Sequence, residues 1–354
     1  MDDFHRCGYM VVREAFPEST AAECRELMWE MMATKEGIRR DDPGTWPVKC
    51  ALDVTMREQD GPPWSCVYTP KLQAAIDAIC GQGKTEPFGC GWWMNTFPAF
   101  PVDPPAQWGI EGAWHIDGHE FAHFAFSREI GLVAIMLFSD VHPSCGGTAI
   151  AEGSHWDVVQ TMCTNFPEGC TNTQVVRKVL EADVKYDVVE ITGQAGDVVL
   201  LHPFVLHARS TNLAQRDEAG VRFMCHPRIS LKRQMNLEPL GQHSILEESI
   251  RAIILDDAAG STLLEDVLLR IGKPVTVALS QNLTSPSMGG SELYDAHQHV
   301  HKVTFATEDD DDDMVDAHDA FDEDEVEVEN ACKDEVSEME AVLGFASFKF
   351  VRKY

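Results

Sequence analysis

The sequence predicts a mainly β core of the barrel or jelly-roll kind with flanking helices, and three observations predict it. Between about residue 90 and residue 225 the chain breaks into short β-favouring runs separated by turns. No helical repeat alternates with those runs. Helical periodicity appears instead on either side of them, in 17–32, 70–80 and 240–273.

Taken in order, Phe4–Val12 reads as a short helix end, a turn at Gly8 and a strand. Pro17-Glu18-Ser19-Thr20 introduces a helix to about Met32. Its apolar residues Ala22, Leu27, Met28, Met31 and Met32 recur at helical spacing, with Ser19 or Thr20 as the expected cap. Residues 42–65, rich in Pro, Gly and Trp, read as loop, and a short helix follows at about 70–80. The β-type runs are 91–97, 132–138, 148–151, 188–191, 198–202 and 221–225. Helical spacing returns in Ser244–Ile254 and in Leu263–Ile271. The expected organisation is therefore an N-terminal region 1–84 packed on a jelly-roll core 85–230, then a helical extension 231–305. An acidic segment 306–341 with the composition of disorder and an apolar end 342–354 complete it. No internal repeat is present.

Composition narrows the function classes. A chain of 354 residues, 44% hydrophobic, is ample for a large core. Of the net charge of −30, positions 308–340 supply −17, from 18 Asp or Glu and one Lys. Nucleic-acid binding, which needs a basic footprint, is excluded as an expectation. The longest apolar run, Leu132–Phe138, is too short to cross a bilayer. The start, Met1 to Arg6, lacks the basic and apolar stretches of a secretory signal. Eleven cysteines without a Cys-x-x-Cys pair read as reduced, mostly buried thiols, so a cytoplasmic compartment is expected.

The string that carries chemistry is Trp114-His115-Ile116-Asp117-Gly118. On a strand, residues two apart face one side, so His115 and Asp117 can point at one metal. Further on, Gly196-Asp197 and an apolar run lead to His207. Two imidazoles and one carboxylate hold iron(II) while leaving positions open for a bidentate cosubstrate and dioxygen. Alone, His-x-Asp is a weak signal; its frame is what adds weight. The order is His-x-Asp, then Gly146-Gly147-Thr148-Ala149-Ile150-Ala151-Glu152-Gly153-Ser154-His155, Gly196-Asp197, His207, Asn212, and an arginine before a final strand.

That order resembles the phytanoyl-CoA dioxygenase-like family over roughly residues 4–230, with Glu152 where proline is usual. The resemblance implies a double-stranded β-helix, ferrous iron held by His115, Asp117 and His207, and 2-oxoglutarate as cosubstrate. It implies oxidation of a C–H bond of a small-molecule metabolite by dioxygen, as hydroxylation, desaturation or oxidative cyclisation. Related halogenases have a small residue at the position of Asp117, so its retention points to an oxygenase.

The cosubstrate tail needs a buried cation, because an unpaired desolvated carboxylate is costly. In the family this is an arginine opening the strand after the second histidine. Arg222, ahead of Phe223-Met224-Cys225, is preferred over Arg216, which reads as part of an exposed turn; Arg209 is third. Asn95 and Thr148 are expected on strands lining the barrel, as further cosubstrate or substrate contacts. Trp92, Trp93 and Trp114 read as core and wall, and His155 and His202 as turn or core histidines. His119-Glu120-Phe121-Ala122-His123 matches the zinc-protease pattern, but that chemistry needs a stable helix, and Gly118 with a nearby strand argues against one. A zinc hydrolase and a non-catalytic jelly-roll interaction protein are the alternatives.

Overall fold

The computed structural model describes residues 2–53, 61–89, 92–101, 106–182 and 184–256. The acidic segment 306–341, the apolar end 342–354 and the stretch Leu263–Ile271 lie outside the described residues. Helix α1 (Asp2–Cys7) turns at Gly8, in the left-handed region, into strand β1 (Tyr9–Val12). After α2 (Glu18–Glu36) come β2 (Lys49–Asp53), α3 (Pro70–Cys80), β3 (Trp92–Thr96), β4 (Leu132–Leu137) and β5 (Ala149–Ala151). Two helices, α4 (Ser154–Asn165) and α5 (Asn172–Glu181), precede β6 (Val188–Glu190), β7 (Val198–Leu201) and β8 (His207–Ala208). The short strands β9 (Met224–Cys225) and β10 (Arg228–Ile229) and helix α6 (Ile245–Asp256) complete the series.

The strands form two antiparallel sheets, the jelly roll the sequence predicts. The larger runs β1-β7-β4-β9-β3-β2, with β10 also pairing β4; the smaller runs β6-β5-β8. All six residues of β4 are buried, as a strand covered on both faces requires. Its side chains alternate between two cores. Leu132, Ala134 and Met136 join a large cluster with α2 (Met28, Met32), α3 (Leu72, Ile76) and α6 (Ile250, Ile253). Val133, Ile135 and Leu137 join a smaller cluster with Val199 and Leu201 of β7, Ile150 of β5 and Met224 of β9. One face of the large sheet thus serves the helical layer, and the other faces the small sheet. The functional side chains described below line that second, inter-sheet face.

The sequence reading departs from the structure at four places. Helix α2 begins at Glu18, so Ser19 and Thr20 lie inside it. Pro17 is the N-cap, without a side-chain cap bond, and left-handed Gly37 closes the far end. Residues 42–65 contain β2, an edge strand paired with β3. Helices α4 and α5 interrupt the β series where none was expected; α5 carries a full capping box from Thr171 and Gln174. Strands β8 and β10 are each two residues long, too short to leave a periodic pattern.

Gly147, just before β5, lies tight against the chain just after β6. A Cβ on Gly147 would lie 2.0 Å from the Ile191 carbonyl oxygen, and a backbone atom cannot step aside as a side chain can. Gly147→Ala should therefore destabilise the fold by about 2–3 kcal/mol. The measurable result is a melting temperature lower by roughly 5–10 °C.

Candidate metal and cosubstrate site

The site begins with a backbone pairing. His115 and His207 form an isolated antiparallel bridge, each donating its N–H to the other's carbonyl, at 3.1 and 3.0 Å. Directly opposed residues present their side chains on one face, and the imidazole centroids are 4.4 Å apart. On its other edge, His207 pairs with Ile150 of β5. Asp117, two residues beyond His115, is held 3.5 Å from His207 Nε2 and 3.9 Å from His115 Nε2 through Oδ1. The three potential ligand atoms all lie within 4.8 Å of one another, and no other such group of His, Cys, Asp or Glu occurs among the described residues.

The tautomers are set by the same device used twice. His115 Nδ1 bonds the Ala113 carbonyl at 2.9 Å, and His207 Nδ1 bonds the Val205 carbonyl at 3.1 Å. With Nδ1–H engaged, each ring turns the Nε2 lone pair toward the common point. His207 Nε2 is buried with no hydrogen-bond partner, a costly arrangement unless something else binds there. The side chain of His115 is 46% exposed and that of His207 only 3%, so the site opens on the His115 side. Burial works against the Asp117 carboxylate. The neighbouring His207 and His115 outweigh it and hold Asp117 below the usual carboxylate range. An unpartnered imidazole nitrogen, a second aligned imidazole and an ionised carboxylate are a donor set that fits a divalent iron.

Arg222 sits on the same inter-sheet face. It forms a hydrogen-bonded bridge with Thr96, and its side chain is nearly fully buried. Its NH1 donates to the Gly146 carbonyl and its NH2 to the Met94 carbonyl at 2.8 Å, while Nε has no partner. Burial, then the charge of Arg209, pushes the guanidinium down to about 9; the carboxylate of Glu190 opposes this. A buried cation with only carbonyl acceptors fits an incoming carboxylate such as the tail of 2-oxoglutarate.

Thr148 reaches the same region, its Oγ1 3.2 Å from His226 Nε2. Asn95 does not. It shares the face of Trp93 and Phe97, and its Nδ2 donates to Met32 Sδ of α2 at 3.7 Å, within the helical core. The expected barrel-lining position belongs to Thr96, one residue on, because a shift of one residue along a strand reverses the face. Arg216 is not on an exposed turn. It donates to the carbonyls of Pro98, Pro43 (2.9 Å) and Trp46 (2.8 Å) and lies 3.7 Å over the Phe100 ring, tying two loops together.

The remaining histidines have other partners. His119 and Glu120 lie on a turn and His123 in a bridge with Cys170, with Glu120 paired to Arg228 at 2.8 Å and His123 Nε2 bonded to the Gly118 carbonyl at 2.6 Å, so no zinc-protease geometry forms. His155 and His202 are buried against each other, ring centroids 4.6 Å apart, and burial pushes His155 down to about 4. Trp93 is core, Trp114 packs partly buried against it, and the Trp92 side chain lies outside the described residues. His226 was not picked out in the sequence, although its signal is there. Once Arg222 faces inward, alternation brings Met224 and His226 inward as well. Its ring lies 6.3 Å from that of His207, and burial pushes it down to about 3.

A jelly roll that closes two histidines and an aspartate on one point defines the non-haem iron class of oxygenase folds. The phytanoyl-CoA dioxygenase (PhyH) family matches residues 4–219, more than half of the chain, and the protein belongs to that family. It is accordingly a dioxygenase-type enzyme dependent on iron and 2-oxoglutarate. No curated protein matches the sequence.

Similar solved structures include the epimerase SnoN in complex with Fe3+, α-ketoglutarate and nogalamycin RO. It is 15% identical, with 69% of this chain and 90% of that one covered at a TM-score of 0.41. HygX from Streptomyces hygroscopicus with nickel and 2-oxoglutarate bound is 12% identical, with 65% and 84% covered at 0.41. AviO1 from Streptomyces viridochromogenes Tue57 is 17% identical, with 69% and 95% covered at 0.41. No helix among the described residues is long and apolar enough to cross a membrane.

Arg216→Ala should lower stability by about 1–3 kcal/mol, from three lost charge-assisted hydrogen bonds and the contact with Phe100. Its 2-oxoglutarate affinity should stay within about threefold of wild type, as expected of a residue outside the site. A thermal melt and a binding titration on the same preparation measure both.

Proposed function

We propose that His115, Asp117 and His207 hold iron(II), that Arg222 anchors the distal carboxylate of 2-oxoglutarate, and that the enzyme oxidises a C–H bond of a small-molecule metabolite. The observation that carries this is the convergence of two Nε2 lone pairs and one carboxylate beside a buried arginine that lacks an anion. When bound, iron with 2-oxoglutarate and dioxygen supplies an oxidant for a C–H bond, the cosubstrate leaving as succinate and carbon dioxide.

The protein's residues bind and orient around that chemistry. The main-chain bonds to Ala113 and Val205 keep each imidazole neutral at Nε2 and aimed inward. Asp117 stays ionised and supplies the negative charge that favours a divalent ion. Its retention removes the room an exogenous halide would need and supports oxygenation over halogenation. Apolar neighbours such as Met224 and Ile150 keep water from the cosubstrate tail, with which the buried Arg222 pairs. The open side at His115 is the route left for substrate.

The non-catalytic alternative is disfavoured by the convergence of the His115 and His207 nitrogens on the Asp117 carboxylate. The acidic overall charge supports a small molecule over nucleic acid as partner.

Alanine at His115, Asp117 or His207 should abolish 2-oxoglutarate turnover and sharply lower bound iron by elemental analysis, with the melting temperature little changed. Wild-type oxygen consumption in any of the three would sink the ligand assignment. Asp117→Gly should also be inactive, and added chloride should not restore it. Arg222→Ala should weaken 2-oxoglutarate binding by roughly 30-fold or more, the loss expected when one side of a buried charge pair is removed. Iron loading should be retained. An anaerobic titration of the iron-loaded variant measures the first, and elemental analysis the second.

A further inference from the structure

Arg222 is not the sole arginine facing the inter-sheet space. Val205, His207 and Arg209 alternate along one strand line with Leu206 and Ala208. Val205 belongs to the inter-sheet cluster and Leu206 to the helical one. Strand alternation therefore turns Arg209 to the same side as His207. The β5–β8 register (Ile150 with His207, Ala149 with Ala208) keeps one offset through the bridge of Cys145 with Asn212. That offset sets Arg209 opposite Thr148, whose hydroxyl touches His226. Arg209 is thus one strand position from a residue already in the site.

Its hydrogen-bond donors are also incompletely matched. NH2 donates to the Glu111 carbonyl at 3.2 Å, and Nε lies 3.5 Å from Glu111 Oε2 but is buried without a hydrogen bond. Arg222 Nε is buried and unbonded in the same way, and each guanidinium lies within the other's field. Glu190 faces this region too, but the backbone N–H groups of Ser144 (2.5 Å) and Gly147 (3.0 Å) occupy its oxygens. Glu111 and Glu190 balance the two guanidinium charges, but neither hydrogen-bonds the buried Nε–H groups of Arg209 and Arg222. A carboxylate has two oxygens, and two separate N–H donors await them.

We propose that Arg209 and Arg222 together hold the distal carboxylate of 2-oxoglutarate, so that this chain grips its cosubstrate with two guanidinium groups. The inference rests on the 2-oxoglutarate reading above. Arg209 then acts as a specificity residue for a dicarboxylic 2-oxo acid over one with an apolar tail, and Glu111 restrains it while the site awaits cosubstrate.

The test is anaerobic calorimetry on the iron(II)-loaded protein with two probes, 2-oxoglutarate and 2-oxopentanoate. The second has the same five-carbon chain with a methyl in place of the distal carboxylate. Arg209→Gln should weaken 2-oxoglutarate binding about tenfold or more and leave 2-oxopentanoate within about twofold of wild type. Arg209→Lys should recover part of the loss, and Glu111→Gln should tighten 2-oxoglutarate or leave it unchanged. Unchanged 2-oxoglutarate affinity in Arg209→Gln, or equal weakening of both probes, overturns the proposal. So does a loss of 2-oxoglutarate affinity in Glu111→Gln, which keeps both arginines and decides the matter if the Arg209 variants fail to fold. If the wild-type protein itself does not bind 2-oxoglutarate, the reading of function fails first, which is a distinct result.

Discussion

The paired hydrogen bonds between the main chains of His115 and His207 are the contact on which the remaining site geometry depends. They join a segment that is otherwise loop to the edge of the small sheet. They also oppose the two residues, so both rings project to one side. Asp117 then follows from strand alternation, and the ring directions follow from the carbonyls two residues before each histidine. Without this bridge the segment around His115 would lose its main-chain tie to His207.

The two cores explain why this arrangement is stable in register. The alternating residues of β4 and β7 are split between the helical layer and the inter-sheet space, and both halves are apolar and buried. A shift of one residue would exchange two sets of differing volume, so packing on both faces opposes it. The residues facing inward near the centre (His207, Arg209, Arg222, His226) are polar and ionisable.

Much of this was legible in the sequence. The His-x-Asp string, the Gly-Gly-Thr turn and the later histidine lie in an order that the fold requires, and long apolar runs such as Leu132–Leu137 read directly as strands. Most of what escaped did so for physical reasons. Asn95 was placed inward because the start of β3 is not fixed by composition, and an error of one residue changes the face. Helices α4 and α5 are about as long as α3 and went unread although α5 sets Val175, Val176 and Val179 at helical spacing behind the cap at Thr171. Arg216 looked exposed because its partners, the carbonyls of residues 43, 46 and 98, are distant in sequence and carry no side-chain signature. His226 went unread because its inward facing depends on Arg222, which the sequence left among three choices.

The bonds from the histidine Nδ1 atoms to Ala113 and Val205 are local, and their acceptors belong to the main chain rather than to any bound ion. The ring directions are consequently a property of the folded polypeptide itself. In small zinc domains the energy of metal binding is folding energy, and chelation unfolds the chain. Here main-chain hydrogen bonds from the same chain direct both imidazole rings, so stripping a metal or exchanging it for another need not unfold the protein. Choice between metals is then governed by supply and donor preference rather than by whether the protein can fold around them.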